Sequence, residues 1–164
     1  MSFIQPVLQQ FTLNTKLFNN VLQDIPDDAG SEQMNEHVNH LQWIAGHLVN
    51  ARYAPFFGLN LSFPYYELYT DLTQPPPHNR KIDPSLVYPS LSELKKYWNE
   101  ISPPFLEALS KLNEEQLATD IPFGVPTGKN FLALLNFIAS HESYHIGQMS
   151  IIRKYLGKSA MSYK

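Results

Sequence analysis

The chain has 164 residues, 43% hydrophobic and 16% charged, which supplies one sizeable core and excludes a disordered chain despite 13 prolines. A net charge of −3 with no block of like charges excludes the basic face of a nonspecific nucleic-acid binder and the polybasic segment of a membrane anchor. Cysteine is absent, so disulfides, thiolate zinc sites and cysteine nucleophiles are excluded too.

Met1–Gln10 has neither a basic start nor an unbroken apolar run, so no signal peptide is expected. No stretch approaches the roughly 18 consecutive apolar residues of a membrane span. These features predict a soluble cytoplasmic protein, a single domain over residues 1–164.

From Phe3 to Leu22, the residues Ile4, Leu8, Phe11, Phe18 and Leu22 recur at helical spacing, with Pro6 tolerable only near the helix start. Asp24–Gly30 reads as a loop. A second helix is expected from about Glu36 to Phe57, apolar around most of its circumference and ended by Pro55 and Gly58. Leu59 to Pro89 then carries Pro64, Pro75-Pro76-Pro77, Pro84 and Pro89 among Tyr65, Tyr66, Tyr69 and Tyr88, which forbids a long helix. A connection of about 30 residues tends to be functional. It is long enough to run the length of a bundle, and its tyrosines either shape a pocket mouth or cover apolar helix surface.

Ser90-Leu91-Ser92-Glu93 is a capping-box pattern that starts a third helix, continued by Leu94, Trp98, Ile101, Phe105, Leu109 and Leu112. Pro103-Pro104 predict a kink or break within it. Asn113 to Gly128 reads as a second long connection, and no convincing strand is found. A fourth helix is expected from about Asn130 to Leu156. Its residues Phe131, Leu134, Ile138, His141, His145, Met149, Ile152 and Leu156 fall within an arc of about 80°. The fold class is therefore all-α, a four-helix bundle.

His141 and His145 lie on adjacent turns of that apolar stripe, about 6 Å apart along the axis, where two imidazoles can converge on one ion. The competing reading makes each a core histidine bonded to a backbone carbonyl. The string His141-Glu142-Ser143-Tyr144-His145 fits the H-E-x-x-H metalloprotease motif. Such proteases usually take a third ligand downstream, and Ile146 to Lys164 holds no histidine, aspartate or glutamate. Glu142 and His145 also form E-x-x-H, but a di-iron bundle needs a second such element, and none exists. A third ligand must come from earlier in the chain. His47 is the best candidate, set in a buried helix beside Trp43 and Gly46, where an unpaired imidazole would be costly. His40 lies about 10.5 Å from it along the axis, too far to share one ion. His37 and His40 read as a solvated face, and His78 as exposed. Glu142 serves either as a base or partner to a ligand imidazole, or as an ordinary packing or surface residue. Asn39 and Gln148 are candidates to orient a ligand imidazole by hydrogen bonding.

Asn39-His40-Leu41-Gln42-Trp43-Ile44-Ala45-Gly46-His47, taken with Ser140-His141-Glu142-Ser143-Tyr144-His145-Ile146-Gly147-Gln148, resembles the DinB-like family of metal-binding four-helix bundles over nearly the whole chain. The resemblance implies one divalent ion held by His47, His141 and His145, helices running up-down-down-up, and often a homodimer. Family relatives include thiol-dependent transferases or isomerases, and many are labelled hydrolases. The break at Pro103-Pro104 departs from that pattern.

Three neutral imidazoles leave coordination positions open, as catalytic sites do. They suit zinc or nickel foremost, with iron, cobalt or manganese as further candidates. The expectation is a metal-dependent enzyme acting on a small molecule, either a hydrolase or a transferase that uses a low-molecular-weight thiol. The competing class is a non-catalytic bundle that binds a small ligand or keeps a structural or vestigial ion. Chelation separates the two, because a structural ion holds the fold.

Overall fold

The computed structural model describes residues 3–61 and 86–163. Tyr65, Tyr66, Tyr69, His78 and most of the proline-rich connection lie outside the described residues.

Helix α1, Gln5–Val21, opens with Pro6 in its first turn and buries Val7, Phe11, Asn14, Leu17, Phe18 and Val21. A single 3-10 turn, Asp27–Ser31, follows. Helix α2 spans Leu41–Tyr53 and starts five residues later than expected. Its N-cap is His40, held extended with its imidazole accepting the Trp43 N–H (3.0 Å from Nδ1). His40 is thus 3% exposed rather than part of a solvated face. A short helix α3, Phe56–Leu59, ends on Asn60 in the left-handed region at φ 50°.

Helix α4, Leu91–Ser110, begins with the expected capping box. Ser90 Oγ accepts the Glu93 N–H (3.2 Å), and Glu93 Oε2 accepts the Ser90 N–H (2.9 Å). Ser90→Ala is expected to cost about 1 kcal/mol, readable as a shifted urea midpoint with unchanged slope.

The predicted break at Pro103-Pro104 does not occur, and α4 runs through both prolines. Pro103 is exposed and Pro104 half-buried, so the rings lie toward the outer side of the helix. The carbonyls that lose donors belong to Asn99 and Glu100, both exposed, where water substitutes. On the inner side Ser102 is buried and donates to the Trp98 carbonyl.

Helix α5, Glu114–Ala118, is capped by Asn113. The expectation of no strand is also corrected: β1, Asp120–Val125, pairs antiparallel with β2, Gly128–Asn130. Its register runs from Asp120↔Asn130 to Val125↔Gly128 with a bulge between. Prolines and glycines hid this hairpin, yet a two-stranded ribbon has only edge strands, where Pro122 is allowed. Gly128 at φ 144° closes the turn in a conformation that side-chain-bearing residues avoid. Helix α6, Phe131–Tyr155, follows directly, with Asn130 accepting the Ala133 N–H.

Helices α1 and α2 both pack against α4 and α6. Phe18 stacks on Trp98 (4.3 Å, 19°), and Phe11 meets Phe105 edge-on (4.9 Å, 86°). The described residues are mostly helical, with one small hairpin among them. No described helix is long and apolar enough to cross a membrane.

Candidate metal centre

His47 is the seventh residue of α2, and His141 and His145 face it from consecutive turns of α6. The α2–α6 packing brings the three rings together. His141 Nε2 lies 3.0 Å from His47 Nε2 and 3.1 Å from His145 Nε2. Each histidine offers one nitrogen to a cluster whose ligand atoms all lie within 4.8 Å of one another, and such a group can hold a metal ion.

The surroundings hold these rings in place. Trp43, one turn before His47, stacks on it at 5.1 Å and 20°. Phe137 lies 5.9 Å from the His141 ring, and Tyr144 edges onto His145 at 5.0 Å. Gln148 Oε1 is 2.7 Å from His145 Nδ1, so that nitrogen carries the proton and donates. The Gln148 amide is itself oriented by donating to Tyr144 Oη at 3.0 Å. This sets the His145 tautomer and leaves its Nε2 lone pair directed at the cluster. Asn39 lines a cleft of about 270 Å³ with Met34, Val38, Ile44, Gln148 and Ile151.

Burial, reinforced by nearby His145, pulls His141 down to about 4, and burial also lowers His145 against the Gln148 bond. Both rings are therefore neutral at neutral pH, the form that ligates metal. The three Nε2 atoms converge on one point, and a neutral imidazole can turn an unprotonated nitrogen toward a cation there. The donor set fits a divalent cation.

Glu142 goes elsewhere. It is fully buried, and both its oxygens meet Arg52: Nε to Oε1 at 2.8 Å and Nη2 to Oε2 at 2.7 Å. Asn14 Nδ2 adds a third donor to Oε2 at 3.1 Å. Burial raises the Glu142 carboxyl above its ordinary range, while the Arg52 charge and the hydrogen bonds of Arg52 and Asn14 pull it back. Two-point contact at these lengths is the geometry of a guanidinium fork on a carboxyl group. Its oxygens are committed to Arg52 and Asn14 within the core.

Sequence reasoning missed Arg52. It also donates to Thr15 Oγ1 (2.9 Å) and Ser102 Oγ (2.7 Å), with its guanidinium carbon 3.4 Å from the Trp98 ring centroid. The available signal was an arginine inside a helix apolar on nearly every side, since a buried charge requires a partner.

The facing helices of this mostly helical protein thus bring three imidazoles together. The DinB superfamily model matches residues 10–149, and the chain is a member of that superfamily. Among solved structures it is similar to a DinB-like protein from Bacillus cereus, at 21% identity and a TM-score of 0.70, covering 96% of this chain and 95% of that one. It is likewise similar to a conserved protein from Enterococcus faecalis, at 16% identity and a TM-score of 0.70, covering 96% and 99%. At these identities the likeness is one of fold. No curated protein matches the chain.

Proposed function

We propose that the chain is a metal-dependent enzyme acting on a small molecule, with His47, His141 and His145 as the ligands of one divalent ion, zinc or nickel foremost. The observation that supports this is the convergence of three Nε2 atoms around one point, two of them 3.0 and 3.1 Å from the third. In this reading residues 1–164 form one domain whose long helices make an up-down-down-up four-helix bundle. Three protein ligands leave positions open for a substrate or nucleophile. When bound, such an ion acts as a Lewis acid and favours the deprotonated form of a small nucleophile.

Either water or a low-molecular-weight thiol suits the open position, because an ion held by three imidazoles would bring bound water to a pKa of about 7 and would favour a thiolate likewise. The reading is therefore a hydrolase or a thiol-dependent transferase.

The test is elemental analysis of untagged protein beside His47→Ala, His141→Ala and His145→Ala. One divalent ion per chain, lost in all three variants, is the expected result. A wild type that takes up no ion even after incubation with zinc and nickel would overturn the reading. Chelation is expected to leave the helical circular-dichroism signal intact, because the core rests on residues such as Phe11, Phe18, Trp98 and Phe105 and not on the ion. Unfolding on chelation would instead make the ion structural.

A further inference from the structure

We infer that the buried Arg52–Glu142 pair is a positioning device for the histidine cluster, fixing the register of α2 against α6 so that His47 meets His141 and His145. The inference rests on the metal-site reading above. Arg52 lies five residues after His47 on α2, and Glu142 directly follows His141 on α6. Their two-point contact crosses the same helix–helix seam as the cluster.

An apolar seam resists sliding only weakly over a fraction of an ångström, since dispersion contacts are short-ranged but non-directional. A planar fork on a carboxylate is directional and tolerates little shift or rotation. The other two long helices are tied to the same point. Asn14 of α1 donates to the Ala139 carbonyl (2.9 Å) and to Glu142, and Arg52 reaches Thr15 of α1 and Ser102 of α4.

Stability alone is a poor reason for this arrangement. Both side chains have 0% exposure, and taking two ions out of water commonly offsets their attraction. A buried ion pair is better suited to specifying one alignment among several that an apolar core would accept. The alignment that matters lies next door, where three nitrogens must meet within about a metal–ligand distance of one point.

The test replaces the pair by apolar residues of similar volume, Arg52→Met with Glu142→Leu, and measures Zn²⁺ affinity by competition against a chromophoric chelator. Co²⁺ absorption of the substituted protein reports coordination geometry. The double variant is expected to melt cooperatively yet bind Zn²⁺ about 10–100-fold more weakly, with an altered Co²⁺ spectrum. Ser90→Ala, which lowers stability at the N-cap of α4 without touching the pair or the three histidines, should leave both unchanged. If the double variant fails to fold, Glu142→Gln retains the volume and the Asn14 contact and is expected to weaken Zn²⁺ binding about 10-fold.

Equal affinity in the wild type and a folded variant overturns the inference and leaves the metal site standing. A wild type without Zn²⁺ affinity overturns the metal-site reading and this inference with it.

Discussion

Arg52→Ala is expected to lower the unfolding free energy by about 3–5 kcal/mol, measured by urea denaturation at neutral pH. The variant leaves Glu142 fully buried with Asn14 as its remaining donor. It also removes the donors to Thr15 and Ser102 and empties space against the Trp98 ring, with Phe11 and Phe105 nearby at 5.8 and 5.5 Å. Each of these losses is a recognised source of large destabilisation, and here they fall at one residue.

The contrast lies with an ion pair of similar length in solvent. Lys111 and Glu107 meet at 2.6 Å, one turn apart on the outer surface, with side chains 69% and 67% exposed. Lys111→Ala is expected to leave the urea midpoint essentially unchanged. Distance is therefore a poor guide to contribution. What separates the pairs is that truncating one partner strands the other in the core in the first case and in water in the second. A loss below about 1 kcal/mol in Arg52→Ala would mean that Glu142 takes up a proton and needs no counter-ion.

The sequence was most legible where a pattern has one physical meaning. The apolar spacing of Ile4, Phe11, Phe18 and Leu22 gave α1, the Ser90–Glu93 box gave the start of α4, and the resemblance gave the family. It was least legible where long-range contacts decide. Pro103 and Pro104 look like breakers until their outer placement is known, and the hairpin at Asp120–Asn130 looks like loop because its two strands need only each other. The start of α2 was misplaced because histidine is an uncommon N-cap, and nothing local distinguishes His40 from the exposed His37. At the candidate site, helical periodicity aligned His141 with His145. Glu142 was ambiguous because the buried face of α6 is wider than the stripe, taking in Leu135, Ala139, Glu142 and Ile146 as well. Only the packing of α2 on α6 shows that this glutamate answers an arginine 90 residues earlier.

His40 makes the fold sensitive to acid, in a direction that follows from its place at the head of α2. Burial pulls this imidazole down to about 4, against a bond to its own backbone. Its Nδ1 accepts the Trp43 N–H, and Tyr88 closes on the ring edge-on at 4.8 Å. A proton would remove that acceptor and place a positive charge at a helix N-terminus, where the peptide dipoles disfavour it. Because the folded pKa lies below the unfolded value of about 6.5, the unfolded chain binds the proton first. The stability tied to this group is complete above that value and falls as the pH descends toward 4. At about 1.4 kcal/mol per pH unit, discounted for solvent screening of a partly desolvated ring, the full loss comes to about 1–2 kcal/mol. His40→Asn keeps a side-chain acceptor at the N-cap and removes the titration. The measurement is urea stability at several pH values from 7.5 to 4 for both proteins. His141 and His145 add acid lability to each, so the difference between the two profiles isolates His40. The wild type is expected to lose about 1–2 kcal/mol more than the variant over this range. Parallel profiles would mean that the cap opens and hydrates before it protonates.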